Sequence, residues 1–538
     1  LDFAPLKDPD DPYGRRNVYA LLRGASPRTV VLLGHIDTVG LGDYDAVLRE
    51  LALHPEDDRG RDSLSAHLDE LRQVVPASDR PLLDDDLTLR DDQGRLDWMF
   101  GRGALDMKSG VAVNIAVMRA LALRKQMGTL PLSVVLLATP DEENDSAGVL
   151  AAVKLLLDLK DAHGLDYLGC LNTDCTTSLY PGDPQRYAYT GSVGKLLPNF
   201  LVLGEAAHVG DPFQGLDANL IAAALIARLS MNADLCDPAS DDATAPRQVT
   251  PPPVTLHAQD LKDTYNVQLP FEAHFYLNVL TYRMTPRELL ERLRAIAGEA
   301  LDDVLERVDQ AERRWVEQMH APAWQAHLRP RKGTGRVFTY ADIWQGAVER
   351  RTGRSAQAEQ ALREAFAAEW AAVWRRGAAA QPRWDARQRS LELVRWLWGQ
   401  SGLSAPAVVI YYTPPYYPHA NTQGGALVKA LREVASQHAV KVDNFFPFLS
   451  DMSYLRLDVP ETDLEALGAN MPLWQHEDEP QRPGGYQLPL TNMRRLGVPV
   501  IDIGPHGRNA HKADERVLKS YSFGELPRIV WEIIERLG

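Results

Sequence analysis

The stretch Phe100-Gly101-Arg102-Gly103-Ala104-Leu105-Asp106-Met107-Lys108-Ser109-Gly110 sets an acidic residue in a glycine-hinged turn, directly before an Ala- and Val-rich helical pattern over about 111–123. Asp106 therefore stands at a helix entrance, where the backbone aims its carboxylate. Working outward, three more acidic or histidine-bearing clusters follow short apolar runs. They are His35-Ile36-Asp37 after Val30-Val31-Leu32-Leu33, Asp141-Glu142-Glu143 after Val134-Val135-Leu136-Leu137, and Asp174 after Tyr167-Leu168-Gly169-Cys170-Leu171. Read as buried parallel strands, these runs put every cluster at a carboxyl end, where open α/β sheets hold their ligands. Strand-like runs alternate with helical periodicities, so the expected class is α/β with a doubly wound, mostly parallel sheet.

At 538 residues the chain exceeds one compact core, and two domains with insertions are expected. A net charge of -15 argues against nucleic acid as a partner, because phosphates need a basic face. Part of the acid is local, as in Leu82-Leu83-Asp84-Asp85-Asp86, which reads as a solvated loop. The three cysteines, Cys170, Cys175 and Cys236, have no CxxC spacing, so no disulfide framework or zinc ribbon is expected and a reducing cytoplasm fits. No apolar stretch approaches membrane-spanning length, and the first residues carry no signal-peptide pattern.

In chain order, 17–22 reads as a strand, followed by the strand that ends at Gly34-His35. The period-two spacing of His35 and Asp37 turns both side chains the same way, and an imidazole beside a carboxylate can be fixed in one tautomer for a metal. Alone, an HxD pair is a weak signal. Residues of about 41–95 carry helical patterns near 44–53 and 63–74 and read as an insertion, a cap over the site or, preferably, decoration. Three adjacent carboxylates at 141–143 are costly unless solvated or neutralised by cations. With His35, Asp106 and Asp174 they approach the inventory of a pair of divalent ions, which needs a bridging carboxylate plus one histidine and one carboxylate per ion. The second histidine is sought in Gly504-Pro505-His506-Gly507-Arg508-Asn509-Ala510-His511, where the glycine-rich turn before His511 favours it over His506.

GHIDTV, GRGALDMKSG, TPDEEN and GPHGRNAH, in an order and spacing that fit, resemble the dinuclear zinc amidohydrolase and peptidase family of carboxypeptidase G, acetylornithine deacetylase, succinyl-diaminopimelate desuccinylase and the aminoacylases. The segment Gly204-Glu205-Ala206-Ala207-His208-Val209-Gly210 is similar to that family's lid signature, and the long insertions resemble the branch of the arginine-utilisation protein RocB. The resemblance implies that one metal takes His35 and Asp174, the other Glu143 and His511, with Asp106 bridging and Asp37 orienting His35. It further implies Glu142 as general base and His208 as oxyanion donor. Arg283, Asn266 and Arg508 resemble substrate-binding positions more weakly.

The cofactors implied are two divalent ions, zinc first and cobalt or manganese as alternatives. The activity implied is hydrolysis of an amide or peptide bond in an N-acyl amino acid or short peptide through a metal-bridged water, in amino-acid catabolism, that of arginine included. A related zinc aminopeptidase and a catalytically silent metal-binding protein stand as alternatives. No HExxH, GxSxG, P-loop or CxxC motif competes.

The expected organisation is a catalytic domain over 1–187 and 416–538 with an α+β lid over 188–415. The lid should hold an apolar, buried helix over 217–229, strands near 265–268 and 271–279, and a helix over 286–301. A Trp-, Ala- and Arg-rich block of about 304–403 enlarges it, with the stripes Leu362, Phe366, Trp370, Val373/Trp374 after Ser355 and Leu391, Val394, Leu397/Trp398 after Asp385. This block is expected to pack on the lid sheet where related enzymes dimerise, giving a homodimer through the lid or a monomer if it replaces that contact.

Overall fold

The computed structural model describes residues 2–6, 13–42, 44, 48–54, 64–128, 130–180, 182–240, 248–320, 322–326, 328, 330–352 and 356–538. Ser63, Ser355 and the middle of the 44–53 pattern lie outside the described residues. The chain forms two compact units: Leu1–Val193 with Pro418–Asp458 and Pro489–Gly538, and Gly194–Tyr417 with Val459–Leu488. The segment Val459–Leu488 thus groups with the second unit, although the sequence reading places it in the catalytic domain.

The first unit is built on an eight-stranded sheet. Its strands run in the order Asp2–Pro5, Arg16–Leu22, Ser133–Thr139, Arg28–His35, Asp166–Asn172, Val500–Asp502, Arg186–Tyr189, Val440–Asp443. The four from Ser133–Thr139 to Val500–Asp502 are mutually parallel, while Arg16–Leu22 joins antiparallel. Val30 to Leu33 and Val134 to Leu137 are buried along their whole length, because helices cover both faces of a doubly wound sheet. Lys108–Met127, Gly425–Gln437 and Leu526–Leu537 share one core with Val30, Leu32 and Val134. Ala147–His163 packs against Arg16–Leu22, Ser133–Thr139 and the short helix Leu490–Leu496.

The segment read as an insertion contributes Leu51, Leu71, Val75 and Leu83 to this core. The acidic run that reads as a solvated loop is instead the end of a helix, Arg80–Asp86, with Leu83 and Asp86 buried. Pro81 in its first turn, where the missing N–H costs nothing, is the local signal that the count of acidic residues hides. A second, four-stranded sheet of Trp98–Phe100, Arg516–Leu518, His506–Arg508 and Thr176–Thr177 joins the Asp106 turn to the C-terminal loop.

The second unit carries a five-stranded sheet in the order Val254–Asp260, Glu272–Thr281, Gly194–Leu203, Ala407–Tyr417, Arg336–Thr339. The strand expected near 265–268 falls instead at Val254–Asp260, after the Pro251-Pro252-Pro253 loop. Helix Ala218–Leu229 is capped by Asp217 and buries one face rather than its whole circumference, leaving Ala223 and Ala227 exposed. Helix Pro286–Gln318 starts from a Thr285/Glu288 capping box and runs well past 301, because no helix breaker interrupts it there. The inserted helices Tyr340–Thr352, Ala356–Ala379 and Ala386–Ser401 pack on the sheet through Leu362, Phe366, Trp370, Leu391, Val394 and Leu397 against Leu201, Val409 and Tyr411. Among the described residues no helix is long and apolar enough to cross a membrane.

On that insert-facing side of the sheet, buried His274 bonds through Nε2 to Asn199 Oδ1 at 3.1 Å, and Asn199 Nδ2 donates to Thr413 Oγ1 at 2.8 Å. Burial, with His257 adding, pushes the His274 pKa down to about 3. The unfolded chain takes up this proton below about pH 6.5 while the folded chain does not until about pH 3, so stability falls with acid across that window. The expected size is about 1.4 kcal/mol per pH unit at most. Urea midpoints at pH 7 and pH 5 should therefore differ more for the wild type than for His274→Gln; equal differences would refute the assignment.

Candidate metal centre

The three parallel strands place their carboxyl ends side by side. His35 ends one strand, Glu142 and Glu143 follow its neighbour on one side, and Asp174 follows its neighbour on the other. His35 Nδ1 lies 3.2 Å from the Asp37 main-chain oxygen and 3.5 Å from the Asp37 carboxylate, so the carbonyl is its nearer partner. The opposite nitrogen, Nε2, lies 3.1 Å from Asp106 Oδ1. The Asp37 carboxylate accepts from the backbone N–H groups of Glu142 and Glu143, each at 3.2 Å. One residue therefore sets both the imidazole and the loop of the two glutamates.

Asp106 is aimed by its backbone. Gly101 and Gly103 take positive φ in the turn, and helix Lys108–Met127 begins two residues after the aspartate. Glu515, fully buried, accepts from the N–H groups of Leu105 and Asp106 at 3.1 and 3.2 Å and pairs with Arg102 at 2.7 Å. The second oxygen of Asp106, Oδ2, lies 3.1 Å from His511 Nε2, which is also 3.1 Å from Glu143 Oε1. Asn509 and His511 both adopt left-handed backbone, which turns the imidazole out of the C-terminal loop.

Two groups capable of holding an ion result: His35, Asp106 and Asp174, and Asp106, Glu143 and His511, each with donor atoms within 4.8 Å of one another. Donors bound at about 2.0–2.2 Å to one tetrahedral ion lie about 3.3–3.6 Å apart, so the 3.1 Å pairs need open by only a few tenths of an ångström. Nitrogen and carboxylate donors, with one carboxylate shared, fit a pair of borderline divalent ions.

The electrostatics point the same way. Burial pushes the Glu142 carboxyl well above its usual range, with Asp174, Asp451 and Asp106 adding and His35 opposing. Asp174 is raised to about 6 by burial and Asp106, and Asp451 to about 7 by burial. Ser450 and Asp451, for which the sequence offers slight evidence, border the centre: Ser450 accepts from Asn172 at 2.9 Å and Asp451 from Thr139 at 2.8 Å. Glu142 Oε2 stands 3.9 Å from His35 Nε2, close to the centre without belonging to either group.

His506 is buried among Tyr521, Arg186 and Arg508, and its pKa is lowered to about 3, chiefly by burial. Arg508 pairs with Asp86 at 3.1 Å over the Trp98 ring, which engages its guanidinium within the fold. His208, Asn266 and Arg283 belong to the second unit and are exposed there. His208 Nδ1 accepts from Gly210 N at 3.0 Å, Asn266 Oδ1 from Gln268 N at 3.1 Å, and Arg283 N donates to Asp237 at 2.6 Å. Sequence reasoning missed Glu515, Arg102, Asp502 and Asp86. Asp502 accepts from the Asp174 N–H at 3.1 Å, and its place at the end of the Val500–Asp502 strand is the signal that could have found it.

A centre that can hold two ions at the carboxyl edge of a doubly wound sheet defines a metal-dependent hydrolase class, and the chain belongs to it: residues 64–482 match peptidase family M20/M25/M40. Among its relatives, protein RocB of Bacillus subtilis (strain 168) is 30% identical over 535 residues, covering 97% of this chain and 85% of RocB. The uncharacterized protein YqjN of the same organism is 32% identical over 537 residues, covering 98% and 87%. A tripeptidase from Staphylococcus aureus superposes with a TM-score of 0.48 at 13% identity, covering 100% of this chain and 88% of that one.

His511 is raised to about 10 by Asp106 and Glu143; burial, the largest single effect on His35, lowers its pKa, but Asp106, Asp37, Glu142 and Asp174 together outweigh it and hold it well above its ordinary value. Both shifts favour the protonated imidazole in the metal-free protein. Loading two ions should release about two protons. Calorimetric titration in buffers of different ionisation enthalpy measures the number, and affinity should rise with pH; release of less than one proton would contradict this electrostatic picture.

Proposed function

We propose that this metallopeptidase-family protein hydrolyses the amide or peptide bond of an N-acyl amino acid or short peptide. In this reading His35 and Asp174 hold one ion, Glu143 and His511 the other, and Asp106 bridges them. The observation that carries it is Asp106 itself, whose two carboxylate oxygens each face a different histidine nitrogen at 3.1 Å, with the largely enclosed Glu142 side chain alongside. The mixed imidazole and carboxylate donors favour zinc, with cobalt or manganese able to substitute. When bound, the two ions supply Lewis acidity toward a water and toward the scissile carbonyl.

The chain's own residues do the rest. Glu142, with its proton affinity raised by burial, takes a proton from the attacking water and returns it to the leaving amine. Asp37 holds the Glu142 and Glu143 backbone and the His35 ring, so base and donor atoms keep their spacing. His208 is the oxyanion donor: with Nδ1 accepting from Gly210 N, the ring proton sits on Nε2. Asn266 and Arg283 are the weaker choices for the substrate carboxylate. Kinship with RocB supports amino-acid catabolism as the setting, including that of arginine. The free thiols of Cys170, Cys175 and Cys236 fit a reducing cytoplasm. The helical block on the second unit's sheet supports a monomer in which it stands in for a subunit contact.

The test is amine release, followed by mass spectrometry, from a panel of N-acyl amino acids and dipeptides. Zinc-loaded wild type should release amine, and Glu142→Gln should lower the rate by about 10² to 10⁴ while still binding two ions. Release undiminished in the variant would remove Glu142 as the base. No release from any member by metal-loaded wild type would favour a silent metal-binding protein.

A further inference from the structure

The residues that hold His511 in place trace back to the segment between the first two site-bearing strands. His511 sits in a short loop whose ends are tied together: Asn509 Nδ2 donates to Asp514 Oδ2 at 2.6 Å, and Lys512 N and Glu515 N bond to Asn509 O and Lys512 O at 3.0 and 3.1 Å. Asp514 Oδ2 also accepts from Arg516 at 2.8 Å, and the Asp514 carbonyl accepts from the same guanidinium at 3.0 Å. Arg516 is fully buried, packed over Trp98 and Phe100. A buried guanidinium holds its direction only as firmly as its counter-charges do.

One of those counter-charges is Asp86, at the end of helix Arg80–Asp86. Its Oδ2 lies 2.8 Å from Arg516 Nε, 2.7 Å from Arg516 Nη2 and 3.1 Å from Arg508 Nε. Without Asp86, Arg508 would lose the carboxylate it pairs with, Arg516 would be left with Asp514, and Arg516 could turn from the loop. The same segment makes further contacts with both ligand-bearing loops. The Ala52 carbonyl accepts from Arg102 N at 3.0 Å, in the turn leading to Asp106, and Tyr44 Oη donates to Lys512 O at 3.4 Å, beside His511.

We propose that Asp86 is a positioning residue for the ion held by Glu143 and His511, acting through Arg516, Asp514 and Asn509, and that the segment bearing it is a brace for the metal centre. It rests on the ligand set proposed above. Asp86 touches no ligand, so its effect is on the placing of one imidazole. His35 and Asp174, which would hold the other ion, draw on other supports, Asp37 and Asp502, and should be unaffected by the change.

The test is a stepwise titration of the metal-free protein with zinc against a competing chromophoric chelator, repeated with cobalt to read ligand-field absorption. Asp86→Asn should weaken one of the two binding steps by about 10- to 100-fold and leave the other within about threefold. Asp86→Glu, which keeps the charge, should restore most of the lost affinity. If Asp86→Asn does not fold, Asp86→Glu alone should show a selective weakening of about 3- to 10-fold in the same step. Equal weakening of both steps, or of neither, would overturn the proposal. His511→Ala is the control for the ligand set: two ions still bound in that variant would refute the set itself. One ion lost there, with both steps unchanged in the folded Asp86 variant, would refute only the brace.

Discussion

One carboxylate organises the first unit. Asp106 presents an oxygen to each of two imidazoles that arrive from opposite ends of the chain, and its own backbone is held by Glu515. Bridging carboxylates tolerate little angular error, because a tilt that improves one donor distance worsens the other. The glycine hinges, the helix that starts two residues on and the buried Glu515–Arg102 pair all restrict that tilt. His35 answers to the same demand through Asp37, and His511 through its tied loop.

The surrounding charge makes such a centre coherent. Asp174, Asp451 and Asp502 are buried and Glu142 is largely enclosed, beside or behind Asp106, and desolvation raises the pKa of each. Carboxylates crowded at low dielectric either take up protons or gather cations. In the proposed reading two divalent ions would relieve the crowding at the ligands, while Glu142, which belongs to neither group, would keep its raised proton affinity. The peptide-hydrolysing family to which the chain belongs uses this kind of chemistry, and the electrostatics give a physical reason for it.

Much of this was legible in the sequence because it depends on local rules. Continuous apolar runs ending in His35, Glu142 and Asp174 can be read as buried parallel strands with a site at one edge, and His511 is preferred over His506 from its glycine-rich approach. The parts that resisted reading depend on distant partners. Asp86 belongs to a run that composition assigns to water, and its burial becomes evident only when Arg516 and Arg508, more than 400 positions away, are placed against it. Glu515 follows His511 closely in sequence, yet its role lies in bonds to the backbone at 105 and 106. Strand Val254–Asp260 escaped for a different reason: most of its residues are exposed, so the hydrophobic pattern that marks a strand is faint. Helix Pro286–Gln318 was cut short by the expectation of an insertion boundary where the chain simply continues its turns.

The small sheet of Trp98–Phe100, Thr176–Thr177, His506–Arg508 and Arg516–Leu518 has a consequence for how the protein is made. Its last two strands, and the loop of His511 between them, are synthesised hundreds of positions after its first strand. A nascent chain thus carries the His35, Asp106 and Asp174 group long before the second group can exist, and contacts of such sequence separation form slowly. In the proposed ligand set the donors of the second ion are therefore complete only once the segment bearing His511 has been made, so a chain stopping before that segment would keep the donors of one ion and lack those of the other.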